Sequence, residues 1–276
     1  MSDRDYVLGT HDEEIDRLGL QHLVWRPEML AAWSRGGVTR GSRVLDVGAG
    51  PGFATADLGE MVGAHGEVVG LERSARFVAA ARRRCADRGL THVRVEETDL
   101  MTDAPEVPGA MPAAGFDAAW CRWVACFVSS PELLVQRIAR ALRPGGVAIF
   151  HEYEDYATWR LLPPRTKVER FVAEVMASWR ATGGEPDIAR TLPALLARSG
   201  FIVRHVRPIV FTVRPSDFTW QWPAAFLRSG VRRLVELGRV DETFAEGVTR
   251  EFDLAERDPS TLMVTPLVLE IVAERL

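Results

Sequence analysis

Hydrophobic positions along this chain switch between a period of two and a helical period, and the switches mark a repeated order of strand and helix. Short β-branched runs at Arg43 to Val47, Glu67 to Leu71, His92 to Glu96, Phe116 to Trp120 and Val147 to His151 each predict a strand. The segments between them carry helix-start and helix-stop residues. Ser74 stands as an N-cap before Phe77, Val78, Ala81 and Cys85, and Gly89 closes that helix. Ser130, with Pro131 at the first helical position, opens another whose apolar positions Leu134, Ile138 and Leu142 end at Pro144-Gly145-Gly146. Strand alternating with helix predicts an α/β fold with a doubly wound parallel sheet.

The flanks of this pattern set the organisation. Residues 1–40 predict an N-terminal helical cover, with helical spacing at Ile15 and Leu18, then at Leu23 and Met29 to Trp33, and with Pro27 opening a second helix. Residues 41–213 form the predicted core. After the fifth strand it continues through a helix at Val168, Phe171, Val172, Val175 and Trp179, a helix from Ile188 to Arg198 stopped by Gly200, and a long strand from Phe201 to Val213. Residues 262–276 supply a last strand, Pro266 to Glu274, which brings the sheet to seven. The intervening 214–261 stretch is polar and aromatic, and Phe244, Val248 and Phe252 repeat at the spacing of an amphipathic helix. It reads equally as a helix packed on the sheet and as a helical lid over a site.

Composition narrows the chemistry. With 276 residues, 47% hydrophobic and 26% charged, the chain is neither disordered nor a fibrous repeat. Charged residues interrupt every apolar run well short of a membrane span, and the first residues have no apolar segment of a secretory leader, so a cytoplasmic location is expected. A net charge of −4 gives no global basic field for a phosphate backbone, so no nucleic-acid partner is expected. The three cysteines, Cys85, Cys121 and Cys126, have no C-x-x-C spacing and predict reduced, buried thiols and no metal site. Lys167 is the only lysine, which leaves Schiff-base chemistry a single charged-stretch candidate, and no phosphate-binding G-x-x-x-x-G-K-[ST] segment exists.

The informative segment is Val44-Leu-Asp-Val-Gly-Ala-Gly-Pro-Gly52, a strand that runs into a glycine-rich turn and then a helix. Glycines there let a nucleotide-like ligand lie against bare backbone. The dinucleotide fingerprint G-x-G-x-x-G/A fails at its third position, which is Phe53. Asp46, two residues before the first glycine, repels a pyrophosphate and suits a cationic ligand.

In this order, Asp46-Val-Gly48-Ala-Gly50-Pro-Gly52 resembles the first motif of class I S-adenosylmethionine-dependent methyltransferases, [DE]-x-G-x-G-x-G. The chain is similar to their small-molecule type, the ubiquinone and menaquinone biosynthesis group. That resemblance implies a Rossmann-like sheet of seven strands with the last antiparallel, and S-adenosylmethionine as cofactor. It implies a cofactor site at Asp46, Gly48, Ala49 and Gly50, with Glu72 and Arg73 at the ribose. It also implies Asp99 and Leu100 at the adenine, and Cys121 and Arg122 after the fourth strand at the methionine end. Leu142-Arg-Pro-Gly-Gly-Val147 resembles the turn before the fifth strand. Tyr6-Val-Leu-Gly9, Arg17-Leu18 and Gln21 resemble the opening of such enzymes, with Gln21 and Trp25 closing over the cofactor.

The acceptor side has no transferable motif. His151 and Glu152, where the fifth strand opens into the crevice, are the candidate catalytic pair: His151 is either a base or a satisfied strand-end histidine, and Glu152 orients the acceptor or a backbone group. Tyr153, Tyr156, Trp123 and Trp220 are the candidate acceptor wall, with an ordinary core role as the competing reading for each tryptophan. Arg122 suits the cofactor carboxylate or an acceptor carboxylate, with a surface ion pair as the competing reading. The absence of [DN]-P-P-[YFW] argues against base modification, and Glu152, Glu154 and Asp155 are the sole nearby cluster for a metal-dependent alternative. Three readings follow. The first is methyl transfer to a small apolar or aromatic molecule of secondary-metabolite or quinone type, at O, N or C, by a monomer or homodimer. The competing readings are a cofactor-binding domain without turnover and a protein or RNA methyltransferase.

Overall fold

The computed structural model describes residues 12–102 and 115–276. The Tyr6-Val-Leu-Gly9 segment lies outside them. Five strands run parallel: β1 (Arg43–Val47), β2 (Glu67–Glu72), β3 (Val93–Glu97), β4 (Phe116–Arg122) and β5 (Leu142–Asp155). β7 (Phe201–Ile209) and the antiparallel β10 (Leu267–Arg275) complete a seven-stranded sheet ordered β3-β2-β1-β4-β5-β10-β7. Strand β1 is interior, and Leu45 sits between Val69 of β2 and Ala119 of β4. Covered on both faces, β1, β2 and β4 are buried along nearly their whole length, as interior strands of a parallel sheet require.

Helices fill both faces. α1 (Asp12–Arg35) and α2 (Phe53–Val62) enclose one layer of core, in which Met29, Trp33, Leu58, Val44, Trp120 and Ile149 are buried together. α3 (Ala75–Asp87) packs beside β2 and β3. α4 (Pro131–Ala141), α5 (Thr166–Ala181) and α6 (Leu192–Arg198) contribute Leu134, Ile138, Phe171 and Leu196 to a larger core with the sheet. The caps read from sequence are formed: Ser74 accepts from the Phe77 N–H and Ser130 from the Leu133 N–H.

Four expectations need correction. Residues before β1 form one helix, α1, with Pro27 inside it, because buried side chains on both sides of the proline hold the two halves in one line. The predicted strand Phe201 to Val213 breaks after Ile209, and its end, β8 (Thr212–Val213), joins β6 (Arg160–Leu162) and β9 (Leu262–Val264) in a second, antiparallel sheet that the alternation did not announce. Residues from Ile188 to Arg198 split into a short 3-10 turn, Ile188–Arg190, and α6, whose first turn takes Pro193. Finally, 214–261 holds two long helices, α7 (Gln221–Glu236) and α8 (Glu242–Arg257), which pack on each other, on α5 and, through α7, on α1.

The glycine turn after β1 has a steric origin. Gly52 adopts φ 79° at the start of α2, and a Cβ there would stand 2.5 Å from the Ala81 Cβ and 2.7 Å from its Cα on α3. Gly52→Ala is therefore expected to lower the unfolding free energy by about 2–4 kcal/mol in denaturant titration. Gly89→Ala, at φ 67° with open space around it, carries only the backbone strain and should lose about 1 kcal/mol.

Candidate cofactor and acceptor cavity

At the carboxyl ends of β1, β2 and β4 the structure opens a cavity of about 420 Å³. This is the crevice where ligands of doubly wound sheets bind. Its floor is the glycine turn, with Asp46, Gly48, Ala49 and Gly50. One end is formed by Glu72, Arg73, Phe77, Asp99 and Leu100, and the other by Arg122, Trp123 and Val124, while α1 closes it with Leu18, Gln21 and His22. Every cofactor candidate from the sequence lines this cavity except Cys121 and Trp25, the latter wholly buried behind Trp123. The Cys121 side chain points into the opposite core, its thiol 3.9 Å from Glu152, and burial pushes that thiol well above the usual range.

Glu72 at the end of β2 is already organised. Its two carboxylate oxygens accept from the Gly50 N–H at 3.0 Å and from the Ser74 N–H at 2.8 Å, which ties the glycine turn to the start of α3. Each oxygen retains a lone pair for a ligand hydroxyl. The Asp99 carboxylate accepts from the Met101 N–H at 2.8 Å, and the Leu100 carbonyl is held by Arg137. Asp46 is buried with Thr55 donating to it at 2.6 Å, and burial raises its carboxyl to about 6.

Arg122 carries the opposite charge into the same space. Burial lowers its guanidinium to about 10, against the pull of Asp46. No carboxylate lies within ion-pair distance of it among the described residues. Its recorded neighbours are the Met29 sulfur at 3.8 Å and the rings of Trp120 and Trp123, 5.8 and 5.1 Å away.

The candidate catalytic pair lies outside the cavity. His151 is fully buried between Trp25 and Trp120, with Nε2 at 3.2 Å from Glu270, and burial lowers its pKa. Strand β5 points it under α1 toward β10, away from the crevice. Glu152, on the other face, is also fully buried. It accepts the backbone N–H groups of Val124 and Ala125, each at 2.8 Å, and of Cys126 at 3.3 Å. Its task is to hold the loop after β4, which corrects the expectation of an acceptor contact while keeping that of a backbone contact.

Of the acceptor wall, only Trp123 lines the cavity. Tyr153 and Tyr156 sit behind it in an aromatic cluster with Trp179, and Trp220 stacks on Phe252 and donates to Glu256 at 2.9 Å within the α7 and α8 layer. No described residue of 214–261 lines the cavity; α7 reaches it through Trp222, stacked on Trp123 at 5.7 Å.

Sequence reasoning missed His22, Phe53, Met101, Phe127 and Thr182, all of which line the cavity. His22 was recoverable, because it follows Leu18 by four positions on one face of α1. Its Nε2 lies 3.2 Å from Asp57 on α2, which also accepts from Arg26 at 2.6 Å and Arg88 at 3.1 Å. Burial works against the Asp57 charge, but His22 and the two arginines hold its carboxyl well below the usual range.

Residues 45–150 match a family described as methyltransferase domain. These residues form a class I methyltransferase domain. Over 150 residues the chain is 30% identical to the aklanonic acid methyltransferase DauC of Streptomyces sp. (strain C5), covering 54% of this chain and 64% of that protein. Over 180 residues it is 27% identical to the ubiquinone/menaquinone biosynthesis C-methyltransferase UbiE of Yersinia pestis, covering 60% and 68%. The chain thus spans about half to two thirds of the length of the curated relatives it matches. A crystal structure of a putative methyltransferase from Bacillus halodurans shares the fold, with a TM-score of 0.58 at 15% identity over 90% of this chain and 98% of that one. No described helix is long and apolar enough to cross a membrane, and no described cluster of His, Cys, Asp or Glu has the makings of a metal site.

Burial holds the Glu152 carboxyl at about 7, above its ordinary 4.5, so folding favours its protonated form. That stabilisation is complete below about pH 4.5 and is lost as pH rises through about 7. Glu152→Gln removes the titration. The difference in unfolding free energy between wild type and variant should therefore change by on the order of 3 kcal/mol across that window, measured by denaturant titration at successive pH values.

Proposed function

We propose that this methyltransferase domain transfers a methyl group from S-adenosylmethionine to a small apolar or aromatic acceptor, at O, N or C. One observation carries the reading: Asp46 and Arg122 line the same cavity with opposite charges and are not paired with each other. Charges buried apart are costly unless a ligand completes them, and an acid and a base held apart suit the two ends of one zwitterion. Asp46 would receive the α-ammonium of the cofactor and Arg122 its carboxylate.

The rest of the cavity fits the remaining parts of that molecule. Gln21 Oε1 accepts from the Arg17 guanidinium at 3.0 Å, which leaves its amide N–H groups as further donors for a carboxylate. Glu72 offers its remaining lone pairs to the ribose hydroxyls, with Arg73 at the rim, and Asp99 and Leu100 offer a hydrogen-bond acceptor and an apolar surface for adenine. Gly48, Ala49 and Gly50 give the backbone a close approach. When bound, S-adenosylmethionine supplies an electrophilic methyl group on a sulfonium.

The chain's own contribution is alignment and exclusion of water. Trp123, Val124, Phe127 and Leu18 form an apolar wall suited to an aromatic or aliphatic acceptor. The names of the two relatives, both methyltransferases of small molecules, support the same class of acceptor. We assign no base role to His151 or Glu152, which are occupied by Glu270 and by backbone N–H groups.

Calorimetric titration with S-adenosylmethionine and S-adenosylhomocysteine, with NAD as control, tests the reading directly. Binding of the first two and not of NAD is expected, and absence of binding overturns it. Glu72→Ala should weaken S-adenosylhomocysteine by about 1.5–3 kcal/mol through loss of charge-assisted hydrogen bonds. Arg122→Met should weaken S-adenosylhomocysteine about tenfold or more while leaving 5′-methylthioadenosine, which lacks the amino and carboxyl groups, unchanged in affinity.

A further inference from the structure

Of the described residues that line the cavity, four are exposed, Arg73, Thr102, Ser129 and Thr182, and they mark where it opens to solvent. Arg73 follows Glu72, so it stands on the cofactor side of this mouth. The other three carry small hydroxyl side chains and come from separate places in the chain. Thr102 follows β3, Ser129 lies two residues before α4, and Thr182 ends α5. Arg137 of α4 holds the Leu100 carbonyl, which keeps the loop after β3 beside that helix. Inward from the rim, half-buried Val124, Phe127 and Val128 line a passage to buried Trp123, and none of them is charged. The charged lining residues Asp46, Glu72, Asp99 and Arg122 belong to the side given to the cofactor.

The far end of the passage is fixed by packing. Gly184 lies so close to the loop after β4 that a Cβ there would stand 2.5 Å from the Cys126 carbonyl oxygen. The Glu185 N–H donates to the same carbonyl at 3.0 Å, and Phe127 meets the Trp179 ring of α5 edge-on at 4.6 Å. Thr182 is thereby held in a set relation to Phe127. Its hydroxyl donates to the Trp179 carbonyl at 2.9 Å, which uses its one proton and leaves lone pairs. A polar group that binds Thr182 must therefore be a donor.

We propose that Phe127, Ser129 and Thr182 form an acceptor subsite for an uncharged aromatic ring that carries a hydroxyl on the edge remote from the methylated atom. This rests on the proposed function, which places S-adenosylmethionine on the Asp46 and Arg122 side. The ring occupies the apolar passage, with its nucleophilic edge toward the sulfonium and its outer hydroxyl donating to Thr182. Ser129, whose hydroxyl both donates and accepts, serves a second oxygen at the rim. A wholly apolar acceptor gains nothing from these hydroxyls, and a charged one meets no opposite charge among the described residues of the passage. One hydrogen bond at the far end also decides which ring atom faces the methyl group, so Thr182 is a specificity-determining residue.

Equilibrium dialysis of naphthalene-2,7-diol and of naphthalene against the protein saturated with S-adenosylhomocysteine tests the subsite. The diol should bind wild type more tightly than naphthalene. Thr182→Val, which removes the hydroxyl and keeps the shape, should weaken the diol about three- to tenfold and leave naphthalene unchanged. Thr182→Trp, which fills the mouth, should weaken both probes more than tenfold. Calorimetry should show S-adenosylhomocysteine bound equally by wild type and both variants, which also reports that they fold. Equal affinity for the two probes, no binding of either, or no effect of Thr182→Trp overturns the subsite. Parallel loss of S-adenosylhomocysteine in the Thr182 variants makes the rim part of the cofactor site and also overturns it. If wild type does not bind S-adenosylhomocysteine, the proposed cofactor falls, while the diol's response to Thr182→Val in the ligand-free protein still decides the subsite.

Discussion

The carboxylate of Glu152 gathers three backbone N–H groups of the loop after β4, and the cavity depends on that gathering. Trp123, at the start of the loop, is in the left-handed region at φ 52°, a conformation that costs a bulky residue energy and persists only where neighbours fix it. Glu152 is that fixture. It sets Trp123 and Arg122 on the cavity side and presents Val124 to the glycine turn, where a Cβ on Gly48 would lie 2.3 Å from the Val124 Cγ2. One buried side chain on β5 thereby controls how β4 meets the turn of β1. Gly48 is required by this contact as much as by any ligand, which adds a packing reason to a residue whose motif suggests only binding.

Buried charge in this protein falls into two kinds. Glu270 is surrounded by Arg35, Arg207 and His151, and Asp57 by Arg26, Arg88 and His22; both carboxyls are held below their usual range despite burial. These satisfied groups fasten α1 to the sheet and to α2. Asp46 and Arg122 are the other kind, shifted toward neutrality by burial because no fixed opposite charge completes them. On the proposed function a ligand completes this second pair, whereas Glu152, also shifted by burial, is completed by backbone N–H groups.

How much of this was legible in sequence depends on how local the determinant is. The turn from Asp46 to Gly52, the acidic Glu72 and the Asp99 segment were readable because a strand, a turn and a helix cap are each specified within a few residues. Strands β1 to β5 were found for the same reason. The acceptor side was not, since its residues meet only through the sheet order. His151 read equally as a base and as a satisfied strand-end histidine, and only β10, arriving from more than a hundred residues away, sets Glu270 against it. Tyr153 and Trp220 failed as wall residues because α5 packs against the first through Trp179 and α8 against the second through Phe252, and no short-range pattern announces that. Pro27 misled for a related reason, because tertiary burial kept α1 continuous where the local rule ends a helix.

The packing around Trp123 bears on how the acceptor is selected. Tyr153 and Trp222 lie nearly parallel to its ring, at 16° and 17° and 5.5 and 5.7 Å, and Trp25 abuts it at a right angle. An indole so enclosed has little rotamer freedom, so it forms a rigid wall of the cavity, one that on the proposed function would select acceptors by shape. The three packing partners come from β5, α7 and α1, so the wall is assembled from the core, the insertion and the cover together. Changes in the 214–261 helices therefore reach the cavity through Trp222 and Trp123, although no described residue of those helices touches it. An insertion that shapes the site from one layer behind is free to vary its outer surface while the cofactor side stays fixed by the glycine turn.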